Sequence, residues 1–277
     1  GASIDLYPGE SLAIVGESGS GKSVFTKSLI GMLDKNGRVT GGQVLFHGED
    51  LFSYTTENQW LRVRGKRIAM VFQDPYSALN PQKKIYTSFE EPLKVHGINS
   101  KEEREAVMDR VLRMVNIQPD YLLRYPHEFS GGQRQRLCIA RALEVSPKVL
   151  ICDEPVSALD VSVQNQILNL MKDIKEQYGL TYLFISHDLS VVRFIADRVC
   201  VMFLGKLCEI GDTELIYNDP QHPYTKFLLD AIPKADPHQR RKERLLLTGE
   251  LPSPVNPPKG CRFHTRCPYA KEICKHV

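Results

Sequence analysis

No stretch of this sequence is long and apolar enough to span a bilayer, so the chain is not expected to cross a membrane by itself. No basic segment followed by an apolar run opens it, and a secretory leader is not expected. One-sided charge is missing too. The net charge is only +3, far below the footprint of a nucleic-acid-binding surface, and no nucleic-acid partner is expected. No internal repeat is visible, which argues against a solenoid. Seven cysteines, an odd number without an extracellular cue, argue against a disulfide framework and for a reducing cytosol. With 42% apolar and 25% charged residues, the 277-residue chain has an ordinary globular composition and can bury one large or two smaller cores. Residue 1 is Gly rather than Met, so the natural start is expected upstream.

What the chain does have is Gly16-Glu17-Ser18-Gly19-Ser20-Gly21-Lys22-Ser23, placed between the apolar run Leu12–Val15 and a helical stretch expected over Val24–Met32. Strand, glycine-rich loop and helix in that order make a phosphate cradle. Backbone N–H groups of Gly16, Ser18, Gly19, Ser20 and Gly21 can turn inward around an anion, and the helix start adds its own unpaired N–H groups and positive dipole end. Lys22 is expected on the β- and γ-phosphates of ATP, and the Ser23 hydroxyl on Mg²⁺.

Along the chain, residues 1–10 read as the end of a strand and a turn, and Gly41–Gly48 as a short strand of an antiparallel layer. The unbroken run Ile68–Phe72 reads as a buried strand ending at Gln73. Helical spacing over Lys101–Asn116, and a second helix capped by Ser130 and running to Leu143, form an inserted helical segment. Strands at Lys148–Glu154, Thr181–Ser186 and Arg198–Leu204 then alternate with helices, one over Val161–Tyr178 stopped by Gly179. Near-continuous apolar strands alternating with helices predict an α/β fold with a parallel sheet covered on both faces. From Asp212 onward short helices and proline-rich loops follow.

Asp153 and Glu154 end a strand expected beside the phosphate-loop strand; there an aspartate can hold Mg²⁺ and its neighbour can take a proton from attacking water. Gln73 and His187 also stand at strand ends, where open α/β sheets bind ligands, and are expected near Mg²⁺ or the γ-phosphate. Ser130-Gly131-Gly132-Gln133 repeats the hydroxyl-and-glycine logic at a second helix start. One phosphate loop is already present, so this second anion site is expected to serve another subunit's nucleotide in a head-to-tail dimer sandwiching ATP.

In their order, Gly16–Ser23, Gln73, Phe129–Arg136, Val149–Glu154, Ser157-Ala158-Leu159-Asp160 and Ile185-Ser186-His187-Asp188 resemble the motifs of an ABC-transporter ATPase subunit across nearly the whole chain. The resemblance implies a P-loop NTPase (RecA-like) core with an antiparallel β layer, an inserted helical subdomain and a C-terminal extension. Core would fill residues 1–76 and 146–211, the helical subdomain 77–145 and the extension 212–277. It implies Glu154 as catalytic base, His187 as γ-phosphate switch, Gln73 as lid-loop sensor and Asp153 on the metal. It also puts Ser130 with Gly132 on a partner's γ-phosphate and Asp160 at the dimer contact. The loop from Asp74 to Leu93 matches the region that docks permease coupling helices, and the adenine-stacking aromatic would precede Gly1.

Gln221-His222-Pro223-Tyr224-Thr225, Pro252-Ser253-Pro254 and Pro258–Pro268 narrow the resemblance to peptide-importer ATPases, the oligopeptide and dipeptide group. That group includes importers of nickel, glutathione and other small solutes. A soluble, non-transport ABC ATPase is the competing class, disfavoured by the short segment between Gln73 and Ser130. The resemblance implies two different ATPase subunits paired beneath two permeases at the cytoplasmic face of the membrane, fed by an external substrate-binding protein. Cys261, Cys267 and Cys274, with five and six residues between them, are spaced more widely than a structural zinc site. An iron–sulfur cluster wants four thiolates, of which three are here and a fourth is expected beyond Val277; His264 and His276 keep zinc open, and free thiols are the plain alternative. For some importer ATPases such a set implies a [4Fe–4S] cluster. Cys138, Cys152, Cys200 and Cys208 sit in apolar settings and are expected to be buried packing residues.

Overall fold

The structure, a computed structural model, describes residues 2–232 and 252–276. In chain order the strands and α-helices are β1 (Ser11–Val15), α1 (Lys22–Leu29), β2 (Leu45–Phe46), β3 (Glu49–Asp50), α2 (Glu57–Leu61), β4 (Ile68–Val71), α3 (Pro75–Ala78), α4 (Ile85–Val95), α5 (Lys101–Met114), α6 (Gly131–Ala142), β5 (Val149–Asp153), α7 (Val161–Tyr178), β6 (Thr181–Ser186), α8 (Leu189–Ile195), β7 (Arg198–Phe203), β8 (Lys206–Asp212), α9 (Thr213–Asn218) and α10 (Pro223–Asp230). They form two compact units, one of Gly1–Asp5, Ser11–Phe25 and Ser186–Val277, the other of Leu6–Glu10 and Thr26–Ile185. Among the described residues no helix is long and apolar enough to cross a membrane.

In the first unit every residue of β1 is buried. It pairs in parallel with β7, Ala13 opposite Val199 and Ile14 opposite Cys200, and β7 in turn pairs antiparallel with β8. Ala13, Val15, Val199, Val201 and Phe203 of these strands share a core with Tyr224 and Phe263. The last two come from the C-terminal extension. Phe203, Tyr224 and Phe263 make a three-ring cluster with centroids 4.7 to 5.4 Å apart, spacings at which tilted and edge-on rings attract. Residues 233–251 of the expected extension lie outside the described residues.

In the second unit β4, β5 and β6 pair in parallel, Ile68 with Val149 and Val149 with Thr181. All six residues of β6 are buried, as a strand covered on both faces demands. Helix α7 has the expected bounds: Asp160 caps its start by accepting from the Val163 N–H, and Gly179 ends it at φ +60°, a left-handed conformation glycine takes without strain. Its inner face, Ile167, Leu168, Leu170, Met171 and Ile174, is buried. Helix α6 starts where Ser130 predicts, with Gln133 completing a capping box. The antiparallel layer is present as the hairpin β2–β3.

Three expectations change. Both edges of β5 are taken, by β4 and β6, so it does not pair with β1 as expected. Residues 2–6 carry the alternation of a strand but form none, because a strand needs a ladder partner as well as a pattern; Glu10 then closes a turn on the Tyr7 carbonyl. The helix after the phosphate loop begins earlier and ends earlier than Val24–Met32, at Lys22–Leu29.

Candidate functional site

In the first unit the loop Gly16–Ser23 leaves buried β1 and enters α1. Gly19 and Gly21 hold φ of +80° and +96°. Gly16 is fixed by space: a Cβ there would stand 2.1 Å from the Met202 carbonyl oxygen. Ser18 and Gly19 are exposed while Ser20 is buried, and the Ser20 N–H closes back on the Glu17 carbonyl at 3.1 Å. Lys22 is only 5% exposed, and its ammonium donates to the Gly16 carbonyl at 2.7 Å and the Glu17 carbonyl at 3.2 Å. A buried cation inside a ring of turned-in backbone is a cradle for an anion, and the residues present fit a triphosphate. Ser23 follows, half-buried, in the first turn of α1. His187 stands exposed after β6, and Asp188 caps α8 by accepting from the Ser190 N–H at 2.8 Å.

The second unit holds the carboxylates. Asp153, the last residue of β5, is 4% exposed. Glu154 follows at φ +46°, a left-handed conformation that costs a non-glycine residue about 1 kcal/mol or more. Its N–H donates to the Ile185 carbonyl at 3.0 Å, so the β5–β6 ladder continues into the turn and holds that conformation. The Gln73 amide donates to Glu154 Oε2 at 3.1 Å. Two strand ends thus deliver an amide and a carboxylate to one point. Ser157 adds a hydroxyl on the Glu154 carbonyl at 3.1 Å, and the Gln164 amide spans the Val156 and Leu159 carbonyls at 3.0 and 2.9 Å, so the turn into Asp160 is knitted from within. The hydroxyl of Ser23 and the carboxylate of Asp153 are hard oxygen donors of the kind Mg²⁺ takes.

Ser130-Gly131-Gly132-Gln133 lies against this same turn. A Cβ on Gly131 would stand 3.3 Å from Leu159 Cδ2, and one on Gly132 2.5 Å from Val163 Cγ1. The glycines let α6, capped by Ser130, approach the start of α7, capped by Asp160. Arg134 donates twice to the Phe129 carbonyl and lies 3.9 Å from the Tyr76 ring centroid. Arg141 reaches the Ala78 carbonyl at 2.5 Å. Helix α6 is therefore fastened to the segment after Gln73. In the sequence Arg141 has no assigned role, and Tyr76 and Arg134 enter only as members of Asp74–Leu93 and Phe129–Arg136; the seven-residue spacing of Arg134 and Arg141 puts both on one helix face.

The tail cysteines make a weaker case. Among the described residues no group of three or more His, Cys, Asp or Glu stands where a metal could be held. The Cys261 N–H donates to the Cys274 carbonyl at 2.9 Å, which ties backbone rather than sulfur. Burial, with Cys261 beside it, pushes the Cys208 thiol up to about 12; burial also raises Cys267. Cys208 is only half-buried, against expectation, whereas Cys138, Cys152 and Cys200 are buried as expected. As placed, Cys261, Cys267 and Cys274 do not come together as a metal-holding group, and an iron–sulfur cluster gains no support.

The family model described as ABC transporter matches residues 1–157, and one described as oligopeptide/dipeptide transporter, C-terminal region, matches 208–274. An oligopeptide transport ATP-binding protein of Bacillus subtilis, AppF, is 51% identical over 276 residues, covering 99% of this chain and 82% of the relative. The dipeptide transport ATP-binding protein DppF of Haemophilus influenzae has the same identity and coverage. OppF of Salmonella typhimurium, an oligopeptide transport ATP-binding protein, is 49% identical over 99% of this chain and 81% of its own. Among solved structures, cbiO1 of Clostridium perfringens, part of the ABC transporter complex cbiONQ, aligns with a TM-score of 0.68 at 27% identity, covering 78% of this chain and 82% of that one. The ATP-binding cassette MJ0796, a dimer bound to ADP and Pi, aligns at 0.65 and 31% identity over 76% of this chain and 88% of that one.

Proposed function

This chain belongs to the ABC transporter ATPase family, and from that premise we propose that it hydrolyses ATP to power import of peptides through partner permeases. The observation that carries the chemistry is the Gln73–Glu154 hydrogen bond of 3.1 Å, made at the C-terminal ends of two parallel strands beside buried Asp153. Gly16, Ser18, Gly19, Ser20, Gly21 and Lys22 hold the phosphates; Ser23, Gln73 and Asp153 hold Mg²⁺. When bound, Mg²⁺ neutralises charge developing on the phosphoryl oxygens. Glu154 orients the attacking water and takes its proton, with Gln73 setting the carboxylate's direction; His187 contacts the γ-phosphate. Ser130, Gly131, Gly132 and Gln133 face the nucleotide of a second ATPase subunit, and Asp160 lies at that dimer contact. Dimeric MJ0796 supports the pairing.

A groove of about 440 Å³ lined by Tyr76, Asn80, Ser88, Glu91 and Arg141 lies on the segment just after Gln73. We read this groove as the seat of a short cytoplasmic helix of a permease; under that reading the chain works at the cytoplasmic face of the membrane, with an external substrate-binding protein feeding the other side. The four-part division at residues 76, 145 and 211 belongs to the same reading. Glu154→Gln tests the chemistry. It is expected to lower ATP turnover by about 10²- to 10⁴-fold while leaving ATP binding intact. Near-normal turnover removes Glu154 as the base.

A further inference from the structure

The C-terminal region takes no part in the chemistry above, yet two of its side chains reach the phosphate loop inside the first unit and a third reaches the turn beside it. Arg266 Nη1 donates to Glu17 Oε2 at 2.8 Å, with the arginine side chain 10% and the glutamate 28% exposed. Tyr224, fully buried, accepts the Glu17 backbone N–H on its hydroxyl at 2.8 Å. Arg262 donates to the Leu204 carbonyl; the next residue, Gly205, donates its N–H to the Ser20 carbonyl at 2.7 Å. The loop is therefore gripped near its start, at Glu17, and in its middle, at Ser20.

The grip is itself rigid. Phe263 lies between the two arginines in sequence and is 1% exposed, packed on Phe203 and Tyr224. The same ring cluster fixes the Tyr224 hydroxyl under the loop, and the turn carrying Arg266 closes through its N–H to the Phe263 carbonyl at 3.0 Å. A charge-assisted pair largely removed from water is directional and strongly coupled to its partner's position. Glu17 is the second residue of the cradle, so its placement sets how the following N–H groups turn.

We propose that the C-terminal region positions the phosphate loop: Arg266 and Tyr224 hold Glu17, and Arg262, through the Leu204–Gly205 turn, holds Ser20, so that ATP affinity depends on the tail. The proposal rests on the reading that Gly16–Ser23 binds ATP. These are positioning residues; they act through the loop and leave the carboxylate chemistry to the second unit.

The test is equilibrium binding of a fluorescent ATP analogue to the purified full-length chain. Arg266→Gln is expected to weaken binding about tenfold, the scale of one charge-assisted hydrogen bond, and Tyr224→Phe by about threefold. The charge swap Glu17→Arg with Arg266→Glu is expected to recover most of the loss. In the ATPase assay with its partner, KM for ATP rises while kcat changes less than about twofold, because only loop placement is altered. Unchanged affinity in both Arg266→Gln and Tyr224→Phe, with only a lowered melting temperature, overturns the proposal and leaves the contacts as packing. A swap that recovers nothing overturns the Arg266–Glu17 pairing as its basis. Lys22→Ala separates the two levels: wild type binding no better than this variant sinks the ATP reading itself, whereas binding lost in it and kept in Arg266→Gln sinks the tail's role alone.

Discussion

Gly16–Ser23 and Ser130–Gln133 look alike in sequence, each a serine-and-glycine approach to a helix, yet their glycines answer different demands. In the first, Gly19 and Gly21 adopt positive φ and Gly16 has a carbonyl where a side chain would begin. Backbone conformation is the product there, a loop that turns back on itself through the Ser20 N–H and the Glu17 carbonyl. In the second, Gly131 and Gly132 lie in the first turn of α6 and have no positive φ; what a Cβ meets is Leu159 and Val163. Close helix approach is the product. One segment uses its glycines to bend the backbone; the other uses them to let two helices meet.

The comparison breaks most sharply at Gly16. Gly16→Ala places a methyl 2.1 Å from a main-chain oxygen that cannot rotate away, so β7 must move. A loss of about 3 kcal/mol or more in stability is expected, with ATP binding abolished. Thermal melting and nucleotide binding measured together check it; a variant that melts and binds like wild type shows that the loop is not built by that contact.

Gly132→Ala is expected to cost less, about 1–2 kcal/mol, because the obstacle is the Val163 side-chain tip. Val163→Ala should restore most of that stability in the double variant, a coupling no Gly16 variant has available. Additive losses in the cycle mean that the helix approach is not what Gly132 serves.

Much of this was legible in the sequence, and the reasons are local. Helix α7 declares itself through an aspartate cap, an apolar stripe and a terminal glycine, all within its own span. Thr181–Ser186 reads as a strand because six consecutive residues are apolar or small and the structure buries them all. The phosphate loop is a fixed pattern of residue types. What was hidden depends on distant partners. Strand order is one such feature: nothing within Val149–Asp153 says that its edges belong to β4 and β6. The left-handed Glu154 is another, since a non-glycine residue gives no sign of a positive φ. The Arg266–Glu17 pair joins positions 249 apart, and although Tyr224 stood in a recognised motif, its hydroxyl's acceptor role emerges only from the packing of three rings. The tail cysteines are the converse case, a suggestive spacing whose sulfurs do not converge into a metal site.

The smallest expected effect on stability is at Ser130, and it is the most discriminating about the second helix start. Ser130 Oγ accepts the Gln133 N–H at 3.3 Å while Gln133 returns a bond from the Ser130 N–H at 3.0 Å. Ser130→Ala removes the cap and is expected to cost about 1 kcal/mol; Ser130→Gly costs only a few tenths, because glycine serves an N-cap conformation well. For a chain of this size that difference amounts to about 1–2 °C in Tm. Both variants lose the hydroxyl. If Ser130 only caps a helix, ATP turnover of the assembled dimer follows stability, with alanine worse than glycine. If Ser130 also donates to a nucleotide held by the partner, both variants lose turnover alike, while their melting temperatures separate. Equal turnover losses with unequal Tm establish that donation; turnover near wild type in Ser130→Gly reduces this serine to a cap, and the likeness between the two glycine segments to one of composition.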